Sequence, residues 1–252
     1  MQNLKVCEDP ETSDTVKFQQ VYFVLDKEFR LLWVGGEWDD FANANGGQNA
    51  QINDVLSTSL LDHIVDQDTK RAMVRLVEAV MDVQEPLKID YRCDSPEMLR
   101  RFQMTVQPMK EGRVLVVHDL RDAQSFKVPL FPWRHNPHAD EKKCSFCNRV
   151  KFVGKDWQSP ESLGDSHPDD VALMLCGDCE HRVEEAISAL RDGRKPLGAI
   201  TGGFSSDVTS RLLSGRAPSL HEHVLSPVQT WRRHARRHRS GSIAACNDTP
   251  EA

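Results

Sequence analysis

The sequence predicts an α+β fold, a five-stranded antiparallel sheet with helices on one face, followed by a small four-cysteine module and a tail. Three observations predict it. Five short apolar segments carry strand character, three of them with a period of two, and a longer segment between the second and third carries the 3.6-residue period of a helix. Two C-x-x-C pairs then follow, Cys144/Cys147 and Cys176/Cys179.

Taken in order, residues 1–16 are polar and acidic with no period, and read as a flexible leader. Val21, Phe23 and Leu25 alternate with Tyr22 and Val24, and Phe29–Val34 forms a second strand after Asp26-Lys27-Glu28, which is a hairpin. Glu37–Asn45 places Trp38, Phe41 and Ala42 at helical offsets and stops at Asn45-Gly46-Gly47. After the short apolar piece Leu60–Val65, Asp68 opens a helix with Met73, Leu76, Val77 and Val80 at i, i+3, i+4 and i+7, and Pro86 closes the region.

Three strands succeed one another from there. Leu87, Ile89 and Tyr91 alternate with charged residues, Phe102, Met104 and Val106 alternate with polar ones, and Val114–Val117 is wholly apolar. Asp94-Ser95-Pro96 and Glu111-Gly112 supply the turns. From Asp119 to Lys143, Pro129, Pro132 and Pro137 interrupt regular structure and predict a linker. The domain reading is therefore 17–121 for the sheet domain, 122–142 for the linker, 143–192 for the cysteine module and 193–252 for a mostly disordered tail.

The chain has 252 residues, 39% of them hydrophobic and 28% charged, with a formal charge of −6. One large or two small soluble domains fit that length. No stretch approaches the roughly 18 apolar residues of a membrane helix, and the acidic start lacks a secretory layout, so a cytoplasmic protein without a membrane span is expected. Neither a P-loop nor a dinucleotide fingerprint nor a nucleophile elbow is present, and the reading is non-enzymatic.

The cysteine pairs carry the chemistry. Each C-x-x-C turn puts two sulfurs on one side of a metal, and two such turns complete a tetrahedron, so Cys144, Cys147, Cys176 and Cys179 are expected to hold structural Zn2+. Iron, a dithiol redox switch, or four cysteines without a ligand are the alternatives. Lys151-Phe152-Val153 and Asp156-Trp157 can form a small hairpin around Gly154 between the pairs. After Cys179, Val183, Ala186, Ile187 and Leu190 give a helix one apolar stripe, expected to pack on the cysteine module as a very small core.

Order and residues together resemble a PAS sensory domain over about Gln20–Arg121. The residues that carry this are Leu25-Asp26 leading into Arg30–Val34, then Trp38-Asp39-Asp40-Phe41-Ala42, and Tyr91-Arg92-Cys93-Asp94-Ser95-Pro96 with Arg100-Arg101 behind it. The turn looks like that of a bacterial PAS subgroup. The resemblance implies signal sensing or protein docking, a signalling partner, a ligand between sheet and helices, and pairing into a homodimer. On that reading Trp33, Trp38, His63 and Tyr91 are ligand-pocket candidates, with no ligand identified, although aromatics there also serve as simple core. The segment 143–190 is similar to the zinc-ribbon-like tails that follow sensory domains in bacterial signalling proteins.

A second class of function rests on Trp231–Arg239. Arg232, Arg233, Arg236, Arg237 and Arg239 beside one tryptophan suit nucleic-acid phosphates, which makes a nucleic-acid-binding transcriptional regulator the alternative; a solvated tail is the plain reading.

Overall fold

In a computed structural model, residues 19–130 and 132–194 are described. The leader at 1–16 and the basic run Trp231–Arg239 lie outside the described residues.

The first sheet is built from β1 (Gln20–Leu25), β2 (Leu31–Gly36), β3 (Leu87–Arg92), β4 (Met98–Pro108) and β5 (Val114–Ser125). All neighbours are antiparallel, in the order β2-β1-β5-β4-β3. The predicted hairpin pairs Val21 with Gly36 and Phe23 with Val34. Because side chains alternate, Val21, Phe23 and Leu25 enter the main core while Val24 faces the other side with Leu115 and Val117.

Helices α1 (Trp38–Ala44), α2 (Ile52–Val55) and α3 (Gln67–Val83) cross between the hairpin and β3. Helix α1 buries Trp38, Phe41 and Ala42, and the Trp38 indole Nε1 donates to the Ala50 carbonyl at 2.6 Å. The short apolar piece after it is a single tight turn, Leu60–His63. Helix α3 buries the predicted stripe of Met73, Leu76, Val77 and Val80. It begins one residue before Asp68, because Asp66 is the cap: its carboxylate accepts from Thr69 N at 2.7 Å.

Strands β4 and β5 outrun their apolar centres. Met98–Arg101 pairs with Asp122–Ser125 past an irregularity at Arg101/Phe102, so the first residues of the expected linker are strand. Ladder bonds use backbone groups that every residue here owns, which is why polar ends such as Asp122-Ala123-Gln124 extend the sheet without a hydrophobic signal.

The second sheet has the order β6-β10-β7-β8-β9, from β6 (Arg134–His135), β7 (Lys142–Cys144), β8 (Val150–Lys151), β9 (Trp157–Gln158) and β10 (Asp170–Met174). β8 and β9 form the expected small hairpin, with Gly154 at φ +72° in its turn. β6 and β7 both pair parallel with β10, so the Pro-rich stretch also contains a strand. Helix α4 (Gly177–Arg191) closes the described chain.

Helix α4 packs differently from its expectation. Val183, Ala186, Ile187 and Leu190 are buried, but α4 lies against α3 and β3, and the four residues belong to the same core as Leu76, Val77 and Ile89. Polar links follow the same seam. Arg92 N donates to the Phe146 carbonyl at 2.7 Å, Ser145 Oγ to Asp66 Oδ2 at 2.8 Å, and Arg75 makes a two-pronged ion pair with Glu184.

Asp66 therefore serves two elements at once, capping α3 and receiving Ser145, with only 7% of its surface exposed. Asp66→Ala is expected to lower stability in urea denaturation by about 2 kcal/mol or more, through loss of the cap and an orphaned hydroxyl. Asp66→Asn, which keeps an oxygen for Thr69 N, recovers part of the loss. An alanine variant within about 0.5 kcal/mol of the parent contradicts this account.

Candidate metal centre

The four cysteines converge from two kinds of local structure. Cys144 ends β7, and the chain doubles back at once: Asn148 N donates to the Cys144 carbonyl at 3.0 Å and Cys144 N to the Arg149 carbonyl at 2.9 Å. Asn148 sits at φ +60°, a left-handed conformation that Asn tolerates better than most residues. Cys176 is the N-cap of α4, and Cys179 lies in its first turn, where exposed N–H groups and the helix dipole favour sulfur anions.

Their Sγ atoms all lie within 4.8 Å of one another, and those of Cys147 and Cys176 are 3.7 Å apart. Four sulfurs bound at about 2.3 Å around a tetrahedral ion sit about 3.8 Å from each other. The donor set fits such an ion, and four thiolates close its coordination. Cys144, Cys176 and Cys179 are buried and Cys147 is half-buried.

The proton balance of the thiols points the same way. Hydrogen bonds from the Cys144 and Cys179 thiols, with help from Arg149, hold Cys147 far below its ordinary value. The same bond to Cys147, with burial, pushes Cys144 up to about 12, and Cys179 is raised by its bonds to Cys144 and Cys147. Cys147 takes the negative charge while Cys144 and Cys179 keep protons, because several thiolates this close repel. A divalent cation replaces those protons.

Two arginines that the sequence reading did not single out complete the site. Arg149 Nε lies 3.3 Å from Cys147 Sγ and its Nη2 3.4 Å from Cys176 Sγ, while Nη2 also donates to Asp178 at 2.6 Å. Arg182 Nη2 lies 3.1 Å from Cys179 Sγ. Four thiolates around a divalent cation carry net charge −2, and two guanidiniums balance it. The i,i+3 spacing of Cys179 and Arg182 on a helix was readable in the sequence; the reach of Arg149 across to Cys176 depends on the fold. Arg149→Met is expected to weaken metal binding about tenfold in a chelator competition, since it keeps the stem and removes the donors. Unchanged affinity contradicts a charge-balancing role.

The four ligand-pocket candidates do not share one face of the sheet. Trp33 packs with Tyr22 and Met109 on the outer face of the sheet, whereas Trp38 is buried under α1 on the inner face. His63 Nε2 lies 2.6 Å from Thr58 Oγ1, and Tyr91 Oη lies 2.8 Å from His118 Nδ1. The arginines around the Asp94-Ser95-Pro96 turn are engaged locally: Arg92 with Asp94 and Glu161, Arg101 with Asp122, and Arg100 with the Cys93 carbonyl and Asn45. Arg232, Arg233, Arg236, Arg237 and Arg239 lie outside the described residues. Among the described residues no helix is long and apolar enough to cross a membrane.

Comparison with known proteins adds no assignment: no family model matches the chain, and no curated protein matches it.

Proposed function

We propose that this chain is a non-enzymatic signal-transduction protein in which a PAS-like N-terminal unit senses a ligand or docks a signalling partner, and a structural zinc module relays the output. The observation that carries the reading is the seating of α4. Its first turn bears Cys176 and Cys179, while its apolar stripe packs on α3 and β3. A change in packing at the sheet then has a direct route to the metal-bound end of the helix, because a packed core repacks rather than deforming freely. The antiparallel sheet with helices on its inner face supports the PAS-like part, and the all-sulfur donor set supports zinc.

Two measurements test it. Elemental analysis of protein purified without added metal or nickel resin is expected to give about one zinc per chain, with a featureless visible spectrum. Iron, or no metal with oxidisable thiols, removes the zinc assignment.

The relay is tested with Phe23→Leu, a core change on β1 away from the cysteines that is expected to cost about 1 kcal/mol and leave the protein folded. Backbone NMR shifts are expected to move in α4 and around Cys144–Arg149. A folded variant whose changes stay within the sheet argues against the relay.

A further inference from the structure

A cavity of about 90 Å3 lies where α1 and the turn after β3 meet Leu130, residues 132–135 and the β7–β8 hairpin. It is separate from the four ligand-pocket candidates, none of which lines it. Most of the wall is apolar, with Phe41, Pro96, Leu130, Trp133 and Leu173 among its residues. Room for about three waters follows from that volume, yet apolar walls hold water poorly.

Two polar side chains enter the lining from the hairpin, Lys143 and Asn148, exposed by only 7% and 3%. Lys143 Nζ donates to Asn148 Oδ1 and lies 5.6 Å from the centre of the Trp133 ring. Among the described residues no ion pair reaches Lys143. Asn148 Nδ2 is fully buried with no hydrogen-bond partner. A buried N–H without an acceptor is rare in folded proteins, and here it sits beside an ammonium that can still donate. The acidic residue in the lining, Asp94, is already taken by the Arg92 guanidinium and Arg100 N.

The two donors want an anionic acceptor, and the rest of the wall wants an apolar body. We infer that this cavity binds a small monocarboxylate, its oxygens on Lys143 Nζ and Asn148 Nδ2 and its apolar part against Phe41, Trp133 and Leu173. A cavity of roughly 150 Å3 holds benzene, so this one takes about four or five non-hydrogen atoms, the size of acetate or propionate. Binding there stands apart from the sensory reading; only a role for the acid as the sensed signal rests on it.

The test uses the full chain in its metal-bound form, titrated with acetate and with propionate by calorimetry and by NMR of the Asn148 side-chain amide. Saturable one-to-one binding that shifts this amide is expected. Acetamide and propionamide, nearly the same shape but uncharged, are expected to bind at least about tenfold more weakly.

Asn148→Gly keeps the left-handed backbone and removes the amide, and Lys143→Met keeps the stem and removes the ammonium. Each is expected to weaken the acids about tenfold or more. No saturable binding of either acid, equal binding of the amides, or unchanged affinity in both variants overturns the site. The acid-against-amide comparison needs no variant, so it decides the matter even where a substitution perturbs folding. A failure here is distinct from failure of the relay, which is read from NMR shifts in Phe23→Leu without any acid present.

Discussion

Replacing Cys176 by serine, or stripping metal from the protein with a chelator, is expected to lower the melting temperature by on the order of 10 °C or more and to disturb the sheet as well as the cysteine region. The size follows from where the sulfurs sit. Cys144, Cys176 and Cys179 are at most 1% exposed, and all three belong to the same core as Phe146, Leu175, Val183 and the sheet residues Ile89 and Phe102. Without a cation Cys144, Cys147 and Cys179 share protons, and Arg149 and Arg182 lose the full anionic charge they face. Helix α4 then loses the anchor of its first turn and its hold on α3 and β3 weakens. Calorimetry of metal-bound, chelated and reconstituted protein measures the effect, with amide exchange in β3 to β5 reporting its reach. An equal melting temperature with and without metal shows the cysteine cluster to be dispensable for the fold.

Acid is expected to destabilise the protein through His118 well before the carboxylates titrate. His118, on β5, is wholly buried against Phe23 and Tyr91, with Nδ1 at 2.8 Å from the Tyr91 hydroxyl and Nε2 without a partner. Burial lowers its pKa from 6.5 to about 3. Between those values the unfolded chain binds a proton that the folded chain does not. Stability from this group is therefore intact above pH 6.5 and falls by roughly 1 kcal/mol or slightly more per pH unit as pH drops toward 3.

His63 and His167, also lowered by burial, act in the same direction. The difference between the parent and His118→Leu isolates the one residue: urea melts from pH 7.5 to 5, with metal content checked at each point, are expected to show a flatter pH dependence in the variant. Parallel curves would falsify the assignment of this acid sensitivity to His118.

The sequence by itself determined the kinds of element. Period two marked β1, β3 and the centre of β4, and the 3.6 period marked α3 and α4, because each pattern is a local property of a few adjacent side chains. The C-x-x-C spacing likewise marked four sulfurs as partners, since it encodes a short turn. Tertiary structure alone decided which surfaces meet. Period identifies the apolar face of α4 but not its neighbour, and that neighbour is α3 and β3. Trp33 and Trp38 read alike as aromatics near a sheet, yet the strand's alternation sends Trp33 to the outer face while α1 buries Trp38 inside. The tails of β4 and β5 and the strand β6 were invisible because ladder bonds are made by backbone atoms common to all sequences. Arg149 reaches Cys176 across 27 residues of chain, and Lys143 and Asn148, neighbours on one hairpin, face Phe41, Pro96 and Leu173 from distant segments; only the folded backbone sets those distances.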